Sequence, residues 1–362
     1  NPQPIAHSEF MNEIYLYMSD VSPYNSETNA SKKIFSGDFD IFLDASLRPT
    51  SWDDYVGQYK TKENLKILIS AARERGHAPE HVLLYGPAGL GKTTLAHLIA
   101  HELGSSIKIT SGPAIERVGD LASLLTNLTR GDILFIDEIH RLNKSIEEIL
   151  YPAMESGRLD IIIGKGPSAR TVQLELPPFT LVAATTRIAL LSAPLRSRFS
   201  GGTFRLEFYT EDEILHILKR SAQLLDVSPN TEALSMLARR SRATPRTANY
   251  LLKRARDYAQ VHKKDLSTDA VQEALTLLGI DECGLTPTDT QLLHLIAKTF
   301  NGGPVGLTTL AASLSEEPAT IEEVYEPYLM RLGFLERSPR GRVITNTGLS
   351  HIGSVNSQDI LL

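Results

Sequence analysis

The sequence predicts an α/β fold, a doubly wound parallel sheet, followed by a small all-helical domain and a C-terminal winged helix. Three observations predict it. Residues 86–94 fit G-x-x-x-x-G-K-[ST] between an apolar strand and an amphipathic helix. From about Asp44 to Leu206, apolar strands alternate with helical spacing, as in a parallel sheet covered on both faces. From Thr210 the pattern turns to helices alone, and the chain closes in three helices and a small hairpin.

Helical spacing runs through Lys62–Arg75 and leads into the strand His81–Tyr85. The glycine-rich turn follows, then a helix over Leu95–Leu103. A strand at Ser106–Thr110, a helix at Val118–Leu128 and the almost wholly apolar strand Asp132–Ile136 come next. A helix at Lys144–Ser156 precedes another apolar strand, Thr180–Ala184. Between them, Leu159–Ile163, the turn 164–167 and Thr171–Leu176 read as a β-hairpin. Ile161, Ile162 and Ile163 are consecutive, so at least one faces outward from a two-stranded ribbon; the hairpin either folds onto its own domain or protrudes to meet a partner.

Four helices follow, over Glu211–Ala222, Thr231–Arg239, Pro245–Gln260 and Asp269–Leu278, with Thr244-Pro245 opening the third. The last unit has helices at Asp289–Phe300, Leu307–Leu314 and Ile321–Leu329. The strands Phe334–Arg337 and Arg342–Thr345 close it around a Ser-Pro-Arg-Gly turn.

The 362 residues suffice for two or three domains. No apolar run approaches the length of a membrane span. The single cysteine, Cys283, excludes an intrachain disulfide framework and suits a reducing cytoplasm. A net charge of −6 argues against wholesale coating by nucleic acid, so any such contact needs a local patch. Residues 1–38 are polar and irregular and read as an extension or processing remnant outside the fold.

The glycine-rich turn carries the chemistry. Gly86 and Gly91 let the backbone approach a phosphate, and the N–H groups of Gly89, Leu90, Gly91, Lys92, Thr93 and Thr94 point at it from a helix N-terminus. Lys92 reaches the outer phosphates of ATP, and the Thr93 hydroxyl is a ligand for Mg²⁺. The strand 132–136 delivers Asp137 as the second magnesium ligand and Glu138 as the base for an attacking water. Thr185 or Thr186, at the end of the next apolar strand, can lie between the γ-phosphate and that water. Arg196 and Arg198 follow closely, and either could be a surface salt-bridging residue or an arginine finger for a neighbouring subunit.

In order along the chain, Gly-Pro-Ala-Gly-Leu-Gly-Lys-Thr-Thr, Leu-Phe-Ile-Asp-Glu-Ile-His-Arg-Leu, Ala-Thr-Thr-Arg, Pro-Leu-Arg-Ser-Arg-Phe and Ala-Thr-Pro-Arg resemble an AAA+ ATPase. More narrowly, Gly164 to Arg170, Leu-Pro-Pro-Phe-Thr at 176–180, Tyr-Glu-Pro-Tyr-Leu at 325–329 and Pro-Arg-Gly-Arg at 339–342 resemble the RuvB family of bacterial Holliday-junction branch-migration motors, over roughly residues 44–352. The resemblance implies a large P-loop AAA+ ATPase domain over 39–208, an all-helical lid over 209–280, a winged-helix domain over 281–352 and a tail over 353–362. It also implies that Leu47, Arg48 and Tyr209 line the nucleotide pocket and that Arg246 is a second sensor on the lid. Thr186 is slightly favoured as the γ-phosphate sensor and Arg198 over Arg196 as the trans-acting finger. The 159–176 hairpin matches the arm that grips RuvA. Ala88, Ala183, Ala243 and Glu155-Ser156-Gly157 depart from the usual pattern without removing a catalytic side chain.

Residues 282–351 hold five Lys or Arg against eight Asp or Glu, yet three of the five, Arg337, Arg340 and Arg342, fall on the small hairpin. That hairpin is the expected phosphate contact, with Arg342→Ala expected to weaken DNA binding. The expected whole is a cytoplasmic, ATP- and Mg²⁺-dependent homo-hexamer that drives duplex DNA through Holliday junctions with a RuvA-like protein and a RuvC-like resolvase. Its rivals are an initiator or clamp-loader-like ATP switch, and a DNA-binding regulator whose ATP site only controls assembly.

Overall fold

The computed structural model describes residues 46–163 and 170–358. The extension expected over 1–38, the hairpin turn at 164–167 and the end of the expected tail lie outside the described residues. Strands β1 (Val82–Tyr85), β2 (Ile107–Ser111), β3 (Ile133–Asp137), β6 (Thr180–Thr185) and β7 (Gly202–Arg205) form one parallel sheet in the order β2-β3-β6-β1-β7. Strands β4 (Arg158–Ile163) and β5 (Arg170–Glu175) form a separate antiparallel hairpin, with Arg158 opposite Glu175 and Ile163 opposite Arg170.

Alternation along the strands explains why they are apolar throughout. Val82, Leu84, Ile133, Phe135, Val182 and Ala184 enter one core with Leu65, Ile69, Leu95 and Ile99 of the helices Tyr59–Arg75 and Lys92–Leu103. Leu83, Leu134, Ile136, Leu181 and Ala183 enter the other, with Leu121, Ile146 and Leu150. Both faces are therefore dry, and the carboxyl ends of β1, β3 and β6 lie side by side where ligands bind such sheets.

The first core continues into the lid, through Leu218, Leu237, Leu251, Leu252 and Leu275. Thr210 starts the lid with a capping box, its hydroxyl accepting from Glu213 N while Glu213 accepts from Thr210 N. Thr244 caps the helix Pro245–His262, with proline at the first position, where its missing N–H costs nothing. The lid helices are Glu211–Leu224, Thr231–Arg240, Pro245–His262 and Thr268–Leu277.

The last unit has its own core, including Leu292, Ile296, Leu310, Ile321, Leu329, Leu335 and Ile344. Helix Pro287–His294 runs into a π-type stretch, Leu295–Thr299, and Leu307–Leu314 follows. A second π-type stretch, Ile321–Tyr325, leads into the helix Glu326–Arg331. Strands β8 (Leu335–Ser338) and β9 (Gly341–Ile344) make the wing.

Three elements differ from expectation. β7 is a short edge strand opened by Gly202 with every second residue half-buried, so it has no apolar run to reveal it. The phosphate-loop helix begins at Lys92, so the motif's own residues form its first turn. The helix Asn346–Gln358 carries the chain beyond residue 352; Ile352 enters the winged-helix core and His351 stacks on Phe334 with ring centroids 4.7 Å apart. No helix among the described residues is long and apolar enough to cross a membrane.

Candidate functional site

The loop after β1 has its glycines in the left-handed region, with φ of 141° at Gly86, 80° at Gly89 and 95° at Gly91. At Gly86 an added Cβ would stand 2.6 Å from the Leu206 carbonyl oxygen, so only glycine closes this turn against the chain leaving β7. Lys92 is 7% exposed, and its ammonium donates to the Gly86 and Pro87 carbonyls at 2.7 and 2.9 Å. Burial holds its pKa below the usual lysine range, the Glu138 and Asp137 charges pull it back up, and Arg246 adds to the lowering. Thr93 and Thr94 are half-buried in the first helical turn, beside Gly91 at its cap.

Asp137 ends β3, and its Oδ1 accepts from Glu138 N at 3.0 Å. Glu138 itself is left-handed, φ 47° and ψ 48°, a conformation that non-glycine residues adopt rarely. Gly112 makes room for it, since a Cβ there would stand 2.4 Å from the Glu138 carbonyl oxygen. One oxygen of the Glu138 carboxylate, Oε2, gathers three donors at 3.1 Å: the Thr186 N–H, the Thr186 hydroxyl and Nδ1 of His140. Burial alone would raise this carboxyl's pKa. The hydrogen bonds from His140 and Thr186, with Lys92 nearby, overcome burial and hold it at about 2.

The two threonines differ in burial and partners. Thr185 is fully buried, its hydroxyl accepting from Arg187 N at 3.0 Å and lying 2.9 Å from His140 Nδ1. Thr186 is half-buried and faces Glu138.

From the lid side, Arg246 is exposed and sits at the loop, its N–H donating to the Gly89 carbonyl at 3.4 Å. Tyr209 lies beneath the loop, its hydroxyl 3.3 Å from the Leu90 carbonyl oxygen and 3.4 Å from the Tyr55 hydroxyl; burial pushes its pKa up to about 12. Leu47 is buried, and its carbonyl accepts from Arg220 of the lid at 3.0 Å. Arg48 is exposed, 3.1 Å from His97.

Arg198 stands apart from this group. Its guanidinium pairs with Glu155 at 2.9 Å, donates to the Pro194 carbonyl at 2.6 Å and lies 4.4 Å over the Tyr151 ring. Its Nε is buried with no hydrogen-bond acceptor. Arg196 is exposed and has no ion pair among the described residues.

The three wing arginines are not equivalent: Arg342, expected at the phosphate contact, also holds an internal ion pair. Arg337 and Arg342 face each other across the β8–β9 register. Between them lies the fully buried Glu326, 2.6 Å from Arg337 Nη2 and 2.6 Å from Arg342 Nε. Arg342, with its side chain 14% exposed, is committed to that pair, whereas Arg337 is 43% exposed. Arg340 sits exposed at the turn with no ion pair among the described residues. We therefore expect Arg342→Ala to cost about 3 kcal/mol in urea unfolding, because it strips a partner from a buried carboxylate. Arg340→Ala should leave unfolding unchanged and lower the salt-dependence slope of DNA binding by about one. An unaltered slope for Arg340→Ala would remove the turn from the DNA contact.

Ile161, Ile162 and Ile163 fall in β4, whose base is anchored by buried Leu159; their side chains lie outside the described residues. Sequence reasoning missed Tyr55, Gly112 and His140. Only His140 had a local signal, two residues beyond the acidic pair; the others reach the site through long-range packing.

Residues 47–206 match the family model of the Holliday junction DNA helicase RuvB P-loop domain. Residues 209–281 match that of the RuvB AAA lid domain, and 282–353 that of the RuvB C-terminal winged helix domain. The chain is 58% identical over 314 residues to the Holliday junction branch migration complex subunit RuvB of Dehalococcoides mccartyi (strain CBDB1), covering 86% of this chain and 90% of that one. It superposes on the Thermotoga maritima RuvB Holliday junction branch migration motor with a TM-score of 0.79 at 49% identity, over 85% of this chain and 98% of the other. A variant of that Thermotoga maritima protein matches equally, with a TM-score of 0.79 at 49% identity over 84% and 98% of the two chains.

Proposed function

The chain belongs to the RuvB family of P-loop AAA+ ATPases, and we propose that it is the ATP-driven motor of Holliday-junction branch migration, working with a RuvA-like junction-binding protein. The observation that carries this reading is the convergence of Lys92, Asp137, Glu138 and Thr186 at the strand ends, with Arg246 of the lid at the same loop. A site closed by a separate lid can turn phosphate loss into domain movement.

The residues fit nucleotide and a divalent cation. The loop glycines hold the left-handed backbone that such a cradle needs, and the Lys92 ammonium donates to loop carbonyls that an anion can replace. No cluster of three or more His, Cys, Asp or Glu that could hold a metal occurs among the described residues. Thr93 and Asp137 offer a hard-oxygen pair of the kind that Mg²⁺ completes with phosphate and water. When bound, that cation would neutralise charge developing on the β- and γ-phosphate oxygens.

On this reading Lys92 binds the outer phosphates and Glu138 Oε2 accepts the proton of the attacking water. The geometry supports an order of events. While Thr186 donates twice to Glu138, the carboxylate is a weak base; a phosphate that captures the Thr186 hydroxyl relieves it. Arg246 is the lid's contact with phosphate, and Tyr209 and Leu47 hold the pocket beneath the base. Arg198, absent from its own site, suits a role in the site of a neighbour within a hexamer on DNA. The wing meets the duplex through Arg340 and Arg337, and the β4–β5 hairpin with Ile161–Ile163 is the arm for the RuvA-like partner. A RuvC-like resolvase completes the assembly, in the bacterial cytoplasm.

The test is strand separation from a synthetic four-way junction with ATP, Mg²⁺ and a RuvA partner. ATP-dependent conversion of the junction, abolished by Glu138→Gln, is expected. Vigorous hydrolysis with no junction processing would move the protein to the ATP-switch class.

A further inference from the structure

We propose that Glu322 and Glu323, carried by the winged-helix domain, are positioning residues of the ATPase site that restrain its γ-phosphate sensor until the wing engages DNA. The proposal rests on the functional reading above and adds the link between its two ends.

Both residues sit on the π-type stretch Ile321–Tyr325, an irregularity frequent at functional sites. They reach across the domain boundary to the end of β6. Arg187 spans them with the two sides of its guanidinium, Nη2 2.5 Å from Glu322 and Nε 2.7 Å from Glu323. Planar, fixed geometry of this kind sets orientation as well as charge. The neighbouring Thr186 hydroxyl lies 3.3 Å from Glu323 Oε2 and 3.1 Å from Glu138 Oε2. A hydroxyl has one proton, so two carboxylates compete for it, and neither leaves it for a phosphate. Glu323 also places negative charge beside the group expected to meet the γ-phosphate, which disfavours the phosphate-bound arrangement.

The other end of the cluster is the wing. Glu322 Oε1 lies 3.6 Å from Arg337 Nη2 and 3.9 Å from Arg342 Nη2, and both arginines hold the buried Glu326. Arg187, Arg337 and Arg342 thus balance Glu322, Glu323 and Glu326 in one network from sensor to wing. Duplex phosphates drawing on Arg337 change the charge that Glu322 feels, and with it the grip on Arg187. Coupling travels here through named ion pairs, each removable.

The test compares Glu323→Gln and Glu322→Gln, which keep shape and remove charge, with the wild type. ATP hydrolysis is measured without DNA and with saturating junction DNA and RuvA partner. Each variant is expected to hydrolyse ATP at least about fivefold faster than wild type without DNA, to reach the same maximum with DNA, and to keep its thermal unfolding midpoint. Adding Arg187→Gln should produce no further increase, because all three changes release one restraint. Variants that match the wild type in both assays would overturn the coupling while leaving the motor reading intact. A wild type that migrates no junction would instead overturn the motor reading, and the coupling with it.

Discussion

Glu138→Gln is expected to lower kcat for ATP hydrolysis about 10²- to 10⁴-fold while ATP affinity stays within about threefold of the wild type. The amide keeps the shape of the side chain and an oxygen to accept from Thr186 and His140, so the left-handed backbone beside Gly112 need not move. What it loses is the capacity to take a proton. The charge lost also faces Lys92, which keeps its loop carbonyls. Steady-state hydrolysis and equilibrium ATP binding separate these effects. Turnover close to wild type would exclude Glu138 as the base, and a parallel loss of affinity would trace the defect to the phosphate loop. The pKa of about 2 fits this role only if the resting contacts are temporary. A carboxylate that weakly basic accepts a proton poorly at neutral pH, and capture of the Thr186 hydroxyl by a phosphate removes one of the hydrogen bonds that depress it.

The buried strands β1, β3 and β6 were legible because burial on both faces makes each an unbroken apolar run, and the loop because phosphate contact restricts its residue types. β7 escaped because Gly201-Gly202 and alternating exposure erase that run at the sheet edge. The C-terminal helix escaped because Gly348 and Gly353 break its apolar spacing. The wing lies where the sequence puts a hairpin, but a count of its arginines does not separate their roles. A two-residue turn, Pro339-Arg340, puts Arg337 and Arg342 opposite each other, and like charges in that relation need a carboxylate between them. Glu326 supplies it, so this signal was present in the spacing. The Arg187–Glu322 pair was not legible, since 135 residues separate its members and no local pattern marks either.

Arg198→Ala is expected to reduce hydrolysis about 10³-fold or more, with ATP binding retained. The guanidinium contacts of Arg198 at rest go to Tyr151, Glu155 and Pro194 of its own chain, none of them a residue of the phosphate site. That pose leaves Nε buried without an acceptor, an incomplete arrangement that a phosphate or a neighbouring carbonyl could improve on. Loss of activity alone would not separate a finger from a structural residue, so the decisive arm is complementation. A Glu138→Gln subunit lacks the base and keeps the arginine; an Arg198→Ala subunit has the reverse. If Arg198 acts on the next subunit, an equal random mixture regains about a quarter of wild-type sites, although each variant alone is inactive. If it acts within its own chain, neither kind of subunit can supply a complete site and the mixture stays inactive. The same mixture made with Arg196→Ala decides between the two arginines: only the variant at the true finger is inactive alone and rescued by its partner.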